Sequence, residues 1–449
     1  MKQKLVVDRL SKLDEGSVAH EPDSRMALLV TEWEPTFTAE KIDKPNMWAT
    51  LRAVKRPWSI AGPMLPNSKR FRTLLNRTID STPGPDGLPC SAWKADMDRS
   101  IVTLRELAVN IADGVPLSAF FGESEAVFLA KGRKVGDKEM VVRSTTKVGP
   151  LIERNTDNQI VAGAFHEAAA PTLARNISKS QRGVVRGRQF IQSIADLDAR
   201  ARTFGLLELL WSILALFDFR AAFPSVEHDY IFATLISFML PAGFIAAVRI
   251  LYAFDPVCVS LEEGLFLSFL LTSGILRGCP ISGALFDIAI DRLRILLERV
   301  APEPLALFCA CADDVGATLS RITLPQKVRG FFVLFKRISS LDLNLIKTVI
   351  VPSAKPLDDE VEAELVRLIR KMLRAGRMSP WRTKENTWAL GLDLALRPRG
   401  RPNPRGYGMR PPWILWLSAF HPRKWSMSTT TLHHQLSFTW HSLARPRWR

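Results

Sequence analysis

A pattern that occurs twice constrains this chain more than any other: a short apolar run that ends on a carboxylate. The first run, LLELLWSILALF from Leu206 to Phe217, stops at Asp218. The second, LALFCACA from Leu305 to Ala312, stops at Asp313 and Asp314 and is followed by VGATL. Alternate residues of a strand share a face, so Leu214, Leu216 and Asp218 point one way and the acid sits at the strand's end. Adjacent acids between two short apolar runs read as the tip of a β-hairpin. If the two strands are neighbours in one sheet, three acids share one small volume. Like charges so close raise each other's pKa unless a cation neutralises them. Oxygen ligands with open water positions suit Mg²⁺ better than zinc. Two such ions can ease deprotonation of an attacking hydroxyl and stabilise a leaving phosphate oxygen, which is the chemistry of nucleotidyl transfer. Taken singly, each piece is ordinary turn or cap chemistry.

The rest of the chain sets the frame. With 449 residues, 47% hydrophobic and 24% charged, it has material for two or more lobes and is not a mainly disordered polymer. Alternating strands and long helices predict an α+β architecture. The net charge of +16 suits a polyanionic partner. After Asp393 ten Arg or Lys and no acid follow, interleaved with Trp413, Trp416, Trp425, Trp440 and Trp448. Such a tail can grip phosphates and stack on bases, or be an unfolded appendage. Five cysteines without a CxxC pair give neither a disulfide framework nor a zinc spacing. The charged N-terminus lacks a secretory signal's apolar core, so an intracellular protein is expected. The apolar stretch from Ile231 to Phe254 is long enough to span a bilayer, but Pro241 and Gly243 divide it into what reads as two buried helices. No stable membrane insertion is expected. STPGPDGLP, Ser81 to Pro89, predicts a sharp turn and a boundary. Ala92 to about Ala112 has helical periodicity, and the basic residues from Lys131 to Lys147 read as a solvated face.

The order of further motifs carries more weight than any one of them. FDFRAAFPSV (Phe217 to Val226), GILRGCPISGALF (Gly274 to Phe286), CADDVG (Cys311 to Gly316) and LDLNLIKT (Leu341 to Thr348) follow one another as in the palm of reverse transcriptases. PGPDGLP and QRGVVRGRQF (Gln181 to Phe190) match upstream finger segments. Over roughly Trp33 to Leu392 the chain resembles the reverse transcriptase domain of non-LTR retrotransposons and, more distantly, the group II intron reverse transcriptases. The resemblance implies a right-hand polymerase with fingers and palm around an antiparallel palm sheet, a partial helical thumb and an irregular basic tail. Expected segments are an N-terminal segment (1–80), fingers (81–205), palm (206–352), palm end and partial thumb (353–393) and the tail (394–449).

By the same resemblance, Asp218 and Asp313 are metal ligands, Asp314 supports them, and the carbonyl of Phe219 adds a ligand. The implied cofactor is a pair of Mg²⁺ ions, with Mn²⁺ as a substitute. Phe223 occupies the place of a steric gate that excludes a ribose 2′ hydroxyl, although large aromatics are commonly core residues. Gly274, Gly278, Pro280 and Ser282 resemble the turn and helix start that let backbone approach the nucleotide. Lys347 stands near the triphosphate as a proton donor to pyrophosphate, or else is a surface lysine. Gln181, Gly183, Arg188 and Arg277 fall in segments that contact template or nucleotide. Implied partners are an RNA template, a DNA primer and deoxynucleoside triphosphates, and nuclear access is implied with them.

The chain also departs from the pattern. Cys311 replaces a Tyr, Arg277 replaces a Gln, and Gly149 stands where an Arg precedes Pro150, with Arg143 or Lys147 as candidate replacements for the lost cation. A charge-assisted bond of that kind is typically worth ~1.5–3 kcal/mol. AlaLeuGly at Ala389 to Gly391 is a weakened primer-grip turn. No endonuclease domain, CCHC knuckle or RNase H acids are expected in this chain. A catalytically decayed RNA-binding protein is the first alternative to an RNA-directed DNA polymerase, and an RNA-dependent RNA polymerase is the second, disfavoured by Phe223.

Overall fold

In the computed structural model the two acid-bearing runs lie in one sheet, not as neighbours but with the strand that leads on from the second run, Asp314–Leu319, between them. The structure describes residues 9–353, apart from 12–17, 20, 55, 133–136, 138–139, 208–210, 253–254, 262–263, 277, 322–323 and 345–346, together with 360, 363, 364 and 367. Most of the expected thumb segment, the primer-grip turn and the whole basic tail lie outside the described residues.

The described strands are, in chain order, β1 (Arg9–Ser11), β2 (Val18–Ala19), β3 (Ser124–Ala130), β4 (Val142–Ser144), β5 (Val148–Arg154), β6 (Ile213–Phe217), β7 (Asp255–Leu261), β8 (Gly264–Leu271), β9 (Ala306–Cys311), β10 (Asp314–Leu319) and β11 (Val349–Pro352). They form three sheets, ordered β2-β1-β4, β11-β6-β10-β9 and β5-β3-β7-β8. With the helices between them this is a mixed α+β fold.

β6 is buried at every position because both its faces are covered. Leu214 and Leu216 pack with Ile194 and Leu197 of helix Phe190–Leu206 and with Cys309 of β9. Ile213, Ala215 and Phe217 face the main core, where Phe217 meets Phe332 of helix Leu324–Ser339 at 4.9 Å. That main core is continuous, drawing on Leu29 and Trp58 near the N-terminus, Phe165 in helix Thr156–Asn176 and Phe286 in helix Ser282–Val300.

The apolar stretch around Pro241 forms helices His228–Ser237 and Ala242–Leu251, with Pro241 at the second N-cap and Leu235, Phe244 and Val248 buried. Among the described residues no helix is long and apolar enough to cross a membrane. The expected turn at PGPDG closes through Gly87 N–H to the Gly84 carbonyl at 2.9 Å, and Asn155 Oδ1 accepts from Asp86 N–H at 3.1 Å. The helix expected from Ala92 divides into Cys90–Ala95 and Met97–Ala112, because Asp96 caps the second by accepting from Arg99 N–H at 3.2 Å. The basic stretch is not uniformly solvated. Arg143 is buried and held by Asp137 at 2.7 Å, since a guanidinium leaves water only with a partner.

Candidate active site at the end of the acid-bearing sheet

β10 pairs antiparallel with β6 so that Val315 lies opposite Phe217. Carried one residue further, this register sets Asp218 beside Asp314. β9 and β10 pair with Asp314 opposite Cys311, which leaves Ala312 and Asp313 as a two-residue turn. Ala312 has φ 51°, the left-handed conformation that the first position of such a hairpin turn demands. Ala221, three residues past Asp218, and Val184, in the loop behind the hairpin, share that strained region at φ 41°. Each such residue costs about 1–3 kcal/mol and persists only where its surroundings fix it.

Residues 180–183 supply that fixing. Ser180 and Arg182 pair by backbone with Ala310 on the outer edge of β9, at 2.9 and 2.8 Å. Gln181, fully buried, accepts from Ala312 N–H at 3.2 Å and from Gly183 N–H at 3.1 Å through one side-chain oxygen. Gly183 is required sterically, because a Cβ there would overlap the Ala312 amide nitrogen. Arg188 donates to the carbonyls of Ala174, Ile177, Ser178 and Gln181, satisfying the C-terminal end of helix Thr156–Asn176. Both side chains are turned inward, that of Gln181 to the hairpin and that of Arg188 to the helix end and the Gln181 carbonyl.

On the other side LDLNLIKT lies along the residues after β6. Phe219 bridges to Leu343, Arg220 N–H donates to the Asp342 carbonyl at 2.8 Å, and Asn344 N–H donates to the Asp218 carbonyl at 2.7 Å. Asn344 Nδ2 also donates to Asp218 Oδ2 at 3.1 Å, and Lys347 Nζ stands 3.6 Å from the same oxygen. The Asp218 side chain is 16% exposed and that of Lys347 64%, so this pair faces solvent. Phe219 is buried, with its ring 5.9 Å from Phe332. Asp313 is buried and Asp314 half-buried.

The field in this corner is negative. The Cys311 thiol is pushed up first by burial and then by Asp287, Asp314 and Asp313. Three carboxylates at one sheet end fit a hard divalent cation by donor chemistry. As placed, however, no group of three His, Cys, Asp or Glu side chains among the described residues is gathered closely enough to hold an ion.

The glycine-containing block crosses the turn after Asp218. Gly274 N–H donates to the Val226 carbonyl at 2.9 Å and Ile275 N–H to the Phe223 carbonyl at 2.6 Å. Gly274 has φ 92°, and a Cβ there would overlap the Pro224 carbonyl. Phe223 is half-buried and stacked on the buried Phe286, with centroids 4.5 Å apart and planes at 16°. Gly278 and Pro280 are exposed. Ser282 is buried, its hydroxyl 2.7 Å from that of Tyr252, so it ties down the helix start. Arg277 lies outside the described residues.

Asn344 was not singled out from the sequence and belongs to this region, whereas Lys131, read as part of the solvated basic stretch, follows β3 of the other four-stranded sheet. Asn344 reaches Asp218, and its signal was an amide inside the alternation LDLNL. Lys131 lies beside the gap at Gly149: a Cβ on Gly149 would meet Lys131 Cε at 3.6 Å. Lys131 Nζ donates to the Thr146 carbonyl at 3.2 Å and stands 5.5 Å from the centroid of the Trp33 ring, Arg143 is committed to Asp137, and Lys147 is exposed. A cavity of about 540 Å³ between Pro85, Leu107, Phe120 and Asp157 includes none of the three acids.

No family model matches the chain. Over 209 residues it is 30% identical to the transposon TX1 uncharacterized 149 kDa protein of Xenopus laevis, a match that covers 44% of this chain and 16% of that protein. The chain thus spans well under two thirds of that relative.

Proposed function

We propose that this chain is the RNA-directed DNA polymerase module of a retroelement, extending a DNA primer on an RNA template with deoxynucleoside triphosphates. The observation that carries the reading is the β6–β10 register, which brings Asp218 to the Asp313–Asp314 turn from a distant part of the sequence. On this reading β11-β6-β10-β9 is the palm sheet, and β5-β3-β7-β8 with the helices before it belongs to the fingers. Asp218 and Asp313 would hold two Mg²⁺ ions, with Mn²⁺ as a substitute, helped by Asp314 and the Phe219 carbonyl, once the three carboxylates close on the ions. When bound, the ions lower the energy of the attacking 3′ oxygen and of the leaving phosphate oxygen.

The side chains divide the remaining work. Phe223, backed by Phe286, closes the space beside the sugar. Gly278 and Pro280 offer exposed backbone to the nucleotide, and Ser282 anchors that backbone from below. Lys347 supplies a proton to departing pyrophosphate, and Lys131 supplies a cation where Gly149 leaves none. Gln181, Gly183 and Arg188 serve the template side indirectly, by holding the hairpin; Arg277 is assigned to template contact. Phosphate contacts make binding salt-sensitive. The test is incorporation of deoxynucleotides on a primed RNA template with Mg²⁺, wild type beside Asp218→Ala. No incorporation by wild type at any Mg²⁺ or Mn²⁺ concentration removes the proposal.

One observation favours a second reading, a retroelement-derived RNA-binding protein without catalysis: the Lys347 ammonium stands at Asp218 where an ion is needed. RNA binding without extension, unchanged by Asp313→Asn, selects it.

A further inference from the structure

The block from Gly274 to Ser282 is held at both ends by a set of buried polar side chains to which the motifs assign no role. At its first end His228 Nε2 donates to the Gly274 carbonyl at 2.8 Å. At its last end the Tyr252 hydroxyl meets Ser282 Oγ at 2.7 Å. The two are in contact, with the Tyr252 ring edge-on to the His228 ring at 5.8 Å and 82°. Arg154, the last residue of β5, lies over the other side of Tyr252 with its guanidinium carbon 5.6 Å from the ring centroid, and it donates to the Leu251 carbonyl. That carbonyl belongs to the last turn of helix Ala242–Leu251, where a cation is favoured by the helix dipole. Arg154 is 2% exposed and Tyr252 likewise 2%. A charge is seldom taken out of water without a structural return.

We infer that Arg154, Tyr252 and His228 are positioning residues that clamp the two ends of this block, so that the exposed backbone at Gly278 and Pro280 meets the incoming nucleotide in one fixed position. The nucleotide part of the inference rests on the polymerase reading; the clamp does not. Arg154 fixes the end of the helix from which Tyr252 projects. Tyr252 then fixes Ser282 and limits the tilt of His228, which fixes Gly274. The span between the anchors contains Gly278, whose φ of 111° is open to glycine alone, so the clamp acts on the part of the block with the most backbone freedom.

The test uses Tyr252→Phe, which keeps the ring and removes the hydroxyl. Its control is Tyr230→Phe, which removes another buried hydroxyl, bonded to the Ala289 carbonyl at 2.9 Å, away from the block. Hydrogen exchange over residues 274–282 is read first. There the amides of Gly274, Ile275 and Ser282 have backbone partners. Exchange is expected to quicken roughly three- to tenfold in Tyr252→Phe and not in Tyr230→Phe, at similar thermal stability, as loss of one buried hydrogen bond implies. Ser282→Ala removes the same bond from its other side while leaving the Tyr252 contact with Cys279, so Tyr252→Phe with Ser282→Ala should go no further than Tyr252→Phe alone. In primer extension, KM for deoxynucleotide should rise by a similar factor while kcat changes less. Equal exchange in the two Tyr variants overturns the clamp. Faster exchange with an unchanged KM overturns its role in nucleotide placement. A wild type that extends no primer removes the polymerase reading, and the exchange comparison alone then supports or overturns the clamp.

Discussion

The two four-stranded sheets differ in how they meet solvent. In β6 every residue is buried, and β9 and β10 are buried at all but one position each. β3 and β5 instead alternate buried and half-buried residues along most of their length. Helix Phe190–Leu206 covers one face of the first sheet, and the main core covers the other. The second sheet keeps one face half open, and Gly149, beside Lys131, lies on that face. The acid-bearing sheet is therefore a fixed platform that becomes polar only at its end, where strained turns present the carboxylates. The other sheet is an amphipathic surface with one face half open to solvent. Chemistry needing closely placed atoms belongs on the first, and contact with a long, variable polymer is suited to the second.

The largest expected effect tests whether the platform's polar end serves function rather than folding. Asp218→Ala and Asp313→Asn should each lower primer extension by about 10³-fold or more, equivalent to ~4 kcal/mol. Asp313→Asn should leave the melting temperature unchanged, since it removes a negative charge from a corner already rich in them, and Asp218→Ala should lower it only slightly, the lost Asn344 and Lys347 contacts being solvent-facing. Extension kinetics and thermal unfolding measured on the same samples decide this, and a marked drop in melting temperature would make the acids structural. The next effect sets one sheet against the other. Ile213→Ala, at a fully buried site in β6, should cost about 3–4 kcal/mol in urea unfolding. Leu151→Ala, on the half-open face of β5, should cost about 1.5 kcal/mol or less. Equal losses would erase the contrast between the sheets.

How much of this was legible depended on whether the determining contact was local. The apolar run ending at Phe217 read as a strand that delivers a carboxylate at its end, and the hairpin was readable from acids between two apolar runs; that β6 is buried on both faces came only from the fold. Pro241 divided the long apolar stretch as its chemistry requires. Inward-facing polar residues were not legible. Gln181 and Arg188 look solvated in sequence, and only the folded loop shows their partners at Ala312 and at the end of a helix. Arg143 finds Asp137 nearby, but nothing in the local pattern tells a buried pair from two surface charges. Ser282 binds a tyrosine thirty residues earlier. The parallel pairing of β1 with β4 joins segments far apart in sequence and too short to show periodicity.

A third effect asks whether the platform's backing responds to pH. Glu227, at the N-cap of helix His228–Ser237, accepts from Glu40 N–H at 2.6 Å, and its carboxyl is pushed up to about 7, chiefly by burial. The folded state therefore keeps this proton to a higher pH than the unfolded chain, in which the carboxyl titrates near 4.5. The stabilisation is fully present below the unfolded value and is lost as pH rises through about 7. Its size is of the order of ~2–3 kcal/mol. Glu227→Gln keeps an acceptor for Glu40 and cannot ionise, so it should remove this part of the pH dependence and be the more stable protein at pH 8. Parallel stability profiles of the two proteins between pH 5 and 8 would show that Glu227 does not titrate there.

The smallest effect concerns Phe223, proposed above to close the space beside the sugar. Phe223 lies half exposed on the buried Phe286, so its outer edge faces the space beyond the turn after Asp218 while its inner face is packed. If it acts as a gate, Phe223→Ala should reduce discrimination against ribonucleotides, measured as the ratio of kcat/KM for deoxy- and ribonucleoside triphosphates. A factor of about 10–200 corresponds to the ~1–3 kcal/mol that a small group in an apolar contact usually carries. The same substitution also removes packing against Phe286, so a fall in overall activity cannot distinguish gate from core. The ratio can, because a loosened core slows both substrates alike. Phe223→Leu sharpens the test by keeping bulk against Phe286 while altering the outer edge. Leu should preserve stability better than Ala and give intermediate discrimination. An unchanged ratio in both variants, with stability falling in proportion to the volume removed, would make Phe223 a core residue and leave the choice of sugar to another part of the site.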